Sequence, residues 1–126
     1  LFTGNTHITN SVNSYFIVGT GLSTVTGITG TINSSGSLTS ISTTTEAKGD
    51  GTVPFWSADL AGANPSRTYY AANREHTGEF DFDSNTVENE GLVVSTNTIQ
   101  LVKNIINNYS DPIGSIPGIT QNRPVA

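Results

Sequence analysis

The chain of 126 residues contains no cysteine and no methionine. That excludes disulfide staples, thiolate nucleophiles and cysteine-based metal sites, and it leaves the redox compartment open. Cations are scarce: 5 Lys+Arg against 10 Asp+Glu give a formal net charge of −5. So few positive groups cannot supply the electrostatic footprint of a nucleic-acid binder. No apolar run approaches the roughly 20 residues that a spanning helix needs, and no signal-peptide pattern is visible. The surface vocabulary is Ser, Thr, Asn and Gly with little Lys, a composition that leans towards a secreted or extracellular protein. The chain opens on Leu1, which reads as a processed or excised piece of something longer.

What is present divides into short elements. Residues 1–14 are polar and read as a lead-in that holds His7. Tyr15-Phe16-Ile17-Val18-Gly19-Thr20 is a continuous apolar run closed by Gly19 and Gly21, the pattern of a strand buried on both faces in a parallel sheet. Residues 23–47 are Ser/Thr-rich, with Val25, Ile28, Ile32, Leu38 and Ile41 spread through them. Asn33-Ser34-Ser35-Gly36-Ser37 is a turn signal that predicts a partly exposed hairpin. Residues 46–62 join a Gly-rich turn to a short helical stretch. Arg67-Thr-Tyr-Tyr-Ala-Ala72 reads as a second strand, and residues 73–91 as a long acidic loop.

A helix is expected over about 95–109. Ser95 is its candidate N-cap, and Ile99, Val102, Ile106 and Tyr109 recur at helical spacing as the face to be packed. Asp111-Pro112 ends it. Residues 1–110 then form one α/β unit, and residues 111–126, spaced by Gly and Pro, form a flexible tail or linker. Two buried strands with one closing helix do not fill both faces of a complete α/β sheet, which again suggests a part of a larger domain.

The residues with the most chemistry in them are Gly49-Asp50-Gly51-Thr52-Val53-Pro54. An isolated Asp-Gly is usually no more than a turn. Flanking glycines nevertheless let a carboxylate sit on a tight turn and accept a hydrogen bond from an imidazole N–H, which is how the acid of a Ser-His-Asp triad orients its histidine. His76 lies in the polar stretch after the second strand, where a lone histidine is ordinarily a solvated residue. The acid precedes the histidine, the order that α/β-hydrolases use.

The six-residue string resembles the acid-residue motif of the lecithin:cholesterol acyltransferase-like α/β-hydrolases. The likeness spans roughly residues 15–109. Tyr15 to Thr24 looks like that family's strand ending in a G-x-G-x-x-T turn. Trp56-Ser57-Ala58 looks like its helix start, Glu75-His76-Thr77-Gly78-Glu79 like its histidine loop, and residues 98–106 like its closing helix. The resemblance implies the C-terminal part of an α/β-hydrolase fold: parallel strands at one sheet edge, a β-hairpin excursion and a closing helix. It implies a lipase, esterase or acyltransferase in which Asp50 and His76 are catalytic and no cofactor is needed.

Two departures accompany the likeness. Asn89-Glu90-Gly91-Leu92-Val93 also looks like the family's His-x-Gly-Leu segment, with Asn89 where histidine stands; in that register His76 lies in an insertion and the catalytic base is missing. The chain also holds no G-x-S-x-G, so the nucleophile elbow is missing. The resemblance places the serine and the oxyanion donors in an upstream N-terminal portion, the expected partner besides a lipid or ester substrate, and leaves the fragment inert alone.

Three further patterns compete with this reading. Glu79, Asp81, Asp83 and Asn85 alternate oxygen donors that Ca²⁺ accepts, but Thr86 stands where an EF-hand needs Gly, and a solvated acidic loop is the commoner use. Phe55, Trp56, Tyr69 and Tyr70 suit an acyl-chain pocket, although aromatics beside strands are more often core. The rival function is a secreted, non-catalytic Ser/Thr-rich binding or structural module in which Asp50 and His76 are bystanders.

Overall fold

The computed structural model describes residues 12–81 and 86–125, with the side chains of 79–89 left aside. Seven strands and two helices are found among the described residues: β1 (Phe16–Thr20), β2 (Leu22–Ile32), β3 (Leu38–Gly49), α1 (Phe55–Ala58), β4 (Thr68–Ala72), β5 (Glu79–Asp81), β6 (Thr86–Asn89), α2 (Thr96–Ile106) and β7 (Ile119–Thr120). The architecture is mixed α/β. The central sheet has the order β1-β4-β7, and two separate hairpins are formed by β2-β3 and β5-β6.

β1 and β4 run parallel, with Ile17 opposite Tyr69 and Val18 opposite Tyr70. Parallel neighbours require a crossover, which the chain from Gly21 to Arg67 supplies. Side chains alternate along each strand, so the pair feeds two cores. Ile17, Tyr69 and Ala71 face Leu101 and Ile105 of α2. Phe16, Val18 and Tyr70 face Phe55, Trp56 and Ala58 of the α1 segment. Both faces are therefore covered, as the continuous apolar runs predict. Phe55, Tyr69 and Tyr70 are core residues, and Phe55 meets Trp56 and Tyr70 edge-on at centroid distances of 5.2 and 6.4 Å.

Ser95 caps α2 as expected: its Oγ accepts the Thr98 N–H at 3.1 Å. The packed face of the helix differs from the predicted one. Thr98, Leu101 and Asn104 are buried, whereas Ile99, Val102 and Ile106 are 43%, 39% and 72% exposed. The helix carries two apolar stripes, and periodicity alone cannot say which one meets the sheet. It also ends earlier than Asp111-Pro112: Asn107 caps it, and Asn108 turns to a left-handed φ of 56°, which leaves Tyr109 outside the helix.

The expected tail is part of the fold. Ile119 is buried and β7 pairs antiparallel with β4 through Tyr70↔Thr120 and Ala71↔Ile119. The Asn104 side-chain amide donates to the Pro112 carbonyl at 2.8 Å. Gly and Pro spacing marks turns here, and the apolar residues between those turns, Ile113, Ile116 and Ile119, fill the α2 side of the core. The acidic stretch 73–91 likewise contains β5 and β6, paired from Glu79↔Asn89 to Asp81↔Thr86; the alternation Glu79-Phe80-Asp81 is a strand period beneath the acidic composition. No helix among the described residues is long and apolar enough to cross a membrane.

Candidate active site

Asp50 follows the last residue of β3 and folds into a tight turn. Its backbone N–H reaches the Val53 carbonyl at 3.3 Å. Its carboxylate Oδ1 accepts the N–H groups of Thr52 at 3.0 Å and Val53 at 2.7 Å. Gly51, at a φ of 88°, provides the left-handed residue that the turn needs, at no Cβ penalty. Its N–H donates to Thr24 Oγ1 at 3.0 Å, and that buried hydroxyl donates in turn to the Leu22 carbonyl at 2.9 Å. The turn is thus pinned to the start of β2.

Gly19 explains how closely this turn lies on the sheet. A Cβ at that position would fall 2.5 Å from the Asp50 Cβ and 3.0 Å from the Arg74 carbonyl oxygen. Only a glycine in β1 lets the Asp50 turn and the strand-leaving segment after β4 converge. The closing glycine of the apolar run therefore serves the site as well as the strand.

His76 arrives from the other side. Its backbone N–H donates to the Asp50 carbonyl at 2.9 Å, and its ring Nδ1 lies 2.8 Å from Asp50 Oδ2. Two bonds, one from the main chain and one from the side chain, fix the imidazole against the carboxylate. An ionised carboxylate only accepts, so in the neutral imidazole Nδ1 carries the proton and Nε2 presents its lone pair. The Asp50 side chain is 5% exposed and that of His76 49%. Nε2 has no hydrogen-bond partner among the described residues. The arrangement is a buried acid behind a half-exposed base.

Burial pushes the Asp50 carboxyl up, but the hydrogen bonds from Val53, His76 and Thr52 outweigh it and hold the group below the ordinary carboxylate range. It is therefore an anion at neutral pH, able to stabilise an imidazolium beside it.

The structure also shows how the two candidate positions for the base relate. The chain leaves the site at His76, forms the β5-β6 hairpin and returns at Gly91, which bridges to Glu75. The Leu92 N–H donates to the Glu75 carbonyl in the same bridge, at 2.6 Å. Gly91-Leu92 thus sits beside the histidine segment with the hairpin looped out between them. Asn89 pairs with Glu79 in that hairpin, and its side chain lies outside the described residues. It is His76 that meets Asp50.

The other sequence-predicted positions are soon placed. His7 and Asp83 and Asn85 of the oxygen-donor pattern lie outside the described residues, as do the side chains of Glu79 and Asp81. No hydroxyl among the described residues bonds to the His76 ring. Sequence reasoning missed Thr24, the buried support of the Asp50 turn. Its signal was available in the G-x-G-x-x-T string, where a hydroxyl follows the turn at a fixed offset. Comparison of the chain with protein-family models, curated protein sequences and solved structures gave no match.

Proposed function

We propose that Asp50 and His76 are the acid and base of a Ser-His-Asp triad in an α/β-hydrolase, a lipase, esterase or acyltransferase whose serine is supplied by an upstream portion of the same enzyme. The observation that carries this reading is the 2.8 Å contact between Asp50 Oδ2 and His76 Nδ1, made by a buried carboxylate and a half-exposed histidine whose second nitrogen has no hydrogen-bond partner among the described residues. Support comes from topology. Both residues leave the carboxyl end of parallel strands, directly after β4 for His76 and through the hairpin from β1 for Asp50, and ligands of open α/β sheets bind at that end. β1 has no strand on its other side among the described residues, which suits the attachment of further strands there.

In this reading His76 Nε2 takes the proton of the serine hydroxyl as the oxygen attacks the ester carbonyl. Asp50 holds the ring in the tautomer that leaves Nε2 free and stabilises the imidazolium that forms. His76 then gives the proton to the departing alcohol. The acyl group left on the serine passes to water or to a second alcohol by the same steps in reverse order. None of these steps draws on a cofactor.

The test is reconstitution. The chain is assayed on short acyl esters alone and together with the polypeptide encoded directly upstream. Alone it is expected to give background rates, and together with the upstream portion to turn over ester. Activity from the isolated chain that vanishes when one of its own serines is replaced defeats the shared-site reading. Absence of any hydrolysis in the reconstituted protein favours the non-catalytic module.

A further inference from the structure

A second concave surface lies at the other end of the central sheet. Asp50 and His76 stand where β1 and β4 finish, whereas Tyr15 and Arg67 stand where the same two strands begin. Beside them and the end of α2 lies a cavity of about 340 Å³, within the range of small-molecule sites. Its walls come from the starts of β1 and β4, the turn after α2 and the residue that follows β7. Four separate segments of this chain therefore assemble it.

Tyr69 gives the cavity its chemistry. The residue is only 3% exposed and packs with Leu101 and Ile119, yet it lines the cavity and its hydroxyl has no hydrogen-bond partner among the described residues. No fully buried side-chain oxygen among the described residues lacks a partner, so the hydroxyl is not sealed off, and the cavity is where it emerges. Burial pushes the phenol up, and Tyr15 and Asp111 push it the same way. It therefore keeps its proton and can donate as well as accept. Arg67 holds its guanidinium 5.7 Å over the Tyr15 ring, and no carboxylate pairs with it among the described residues. Gln121 donates its Nε2 to the Ser66 carbonyl at 3.0 Å, which leaves its Oε1 as an acceptor. Asn108 adds a side-chain amide, and Tyr109 a ring that is 56% exposed.

We infer that this cavity binds a neutral mono- or disaccharide, at a site separate from Asp50 and His76 and independent of their role. A sugar ring offers C–H faces that pack on aromatic rings and a rim of hydroxyls that both donate and accept. The cavity matches each demand. Tyr15 and Tyr109 supply rings, and Tyr69, Arg67, Asn108 and Gln121 supply donors and acceptors together. Two other ligand classes fit less well. A purely apolar ligand would strip water from the guanidinium and the amides without replacing it. An anion would meet Arg67, but Asp111 lies near enough to act on the Tyr69 phenol, and a second negative charge there is repelled.

The 126-residue chain is titrated with cellobiose, maltose and lactose, and binding is read from backbone amide shifts. At least one sugar is expected to give saturable shifts that cluster on Arg67, Tyr69, Asn108 and Gln121 and leave His76 unmoved. Tyr69→Phe removes a hydroxyl that bonds to nothing in the free protein. It should weaken binding by about three- to tenfold, while the unfolding midpoint stays level or rises. Tyr109→Ala should weaken binding by a similar factor, and added salt should leave the affinity for a neutral sugar alone. No saturable shift from any of these sugars, or a Tyr69→Phe chain that binds as tightly as the wild type, overturns the inference. So does sodium acetate or inorganic phosphate that saturates the same amides where the sugars do not, since the site then holds an anion. The titration is repeated with the upstream portion added. Loss of sugar binding there also overturns the inference, because the cavity is then an interface within the larger domain. Asp50→Asn should bind sugar as the wild type does, which keeps this result distinct from that of the triad.

Discussion

Asp50 and Asp59 stand close together in sequence and both are buried, yet they are used in opposite ways. The Asp59 carboxylate is saturated. It accepts from the Arg123 Nε at 2.7 Å and the guanidinium Nη2 at 3.3 Å, from the Tyr70 hydroxyl at 2.8 Å and from the Gly62 N–H at 3.1 Å. Every partner belongs to the framework, and the result ties the segment after β7 to the turn that follows α1. Arg123 also lies over the Phe55 ring at 5.1 Å. Asp50 has the same chemistry on one oxygen, but its other oxygen faces a histidine ring that is 49% exposed and has a second nitrogen. A buried carboxylate does not mark a site by itself. In the proposed reading, what sets Asp50 apart is a partner with a second nitrogen left to offer.

The contrast is broken most directly by activity. In the reconstituted enzyme His76→Ala and Asp50→Asn are each expected to lower turnover on the order of 10⁴-fold, because triad members act as a unit. Asp59→Asn should leave turnover per folded molecule unchanged. A loss of only a few-fold for His76→Ala puts the base elsewhere and returns Asp50 to a turn residue.

Stability should show the reverse order. Asp59→Asn leaves the Arg123 guanidinium without its anion and should cost about 2–3 kcal/mol by denaturant unfolding. That is less than the roughly 3–5 kcal/mol of a fully buried pair, because the Arg123 side chain is 35% exposed. Asp50→Asn keeps an oxygen for the Thr52 and Val53 N–H groups, and should cost about 1 kcal/mol. Equal losses for the two variants would remove the distinction between framework and site.

Acid sharpens the comparison further. Burial pushes the Asp59 carboxyl up, but Arg123, Tyr70 and Gly62 more than offset it, so this group too is held below the ordinary range. Tyr70 moves the other way, pushed up to about 12 by burial and by its bond to Asp59. A carboxyl with a depressed folded pKa binds protons more tightly when unfolded. The stability it contributes is complete above the ordinary carboxylate pKa and disappears as pH falls through the lower folded value. Thermal midpoints of the wild type should therefore drop on acidification below about pH 4, and Asp59→Asn should flatten part of that fall. An unchanged slope in this variant would show that other carboxyls govern the acid limb.

The two aspartates were not equally legible in the sequence. Asp50 announces itself by its glycine neighbours, and the apolar strand runs on either side foretell the parallel pair that positions it. Asp59 sits in an unremarkable Ala-Asp-Leu, and its partner Arg123 lies in a Gly/Pro-spaced stretch that reads as a tail. Local pattern reports how a residue suits its own turn or strand. It does not report a contact closed by the return of a distant segment. The same limit explains α2, whose two apolar stripes are equivalent on the helix and are separated only by what the sheet offers, and the β5-β6 hairpin, whose strand period is masked by its charge. The Glu75↔Gly91 bridge is a further contact between distant positions, and it is what keeps His76 and Gly91-Leu92 together.

The smallest expected effect is the most discriminating for Asp59. Arg123→Lys keeps the positive charge and the length needed to reach the carboxylate, but replaces a planar fork with a point charge. In the native contact the fork engages both oxygens, at 2.7 and 3.3 Å, while its face covers the Phe55 ring. A lysine ammonium can satisfy one oxygen and stacks poorly on the ring, so about 1 kcal/mol of stability should be lost, measured by denaturant unfolding. The remaining bonds from Tyr70 and Gly62 keep the carboxylate ionised and the turn after α1 in place. Turnover of the reconstituted enzyme should not change, because no hydrogen bond among the described residues joins the side chains of this cluster to Asp50 or His76. If Arg123→Lys costs as much as Asp59→Asn, the geometry of the fork rather than the neutralisation of charge holds the segment. If it lowers turnover without lowering stability, the clasp reaches the site, and the division between the two aspartates fails.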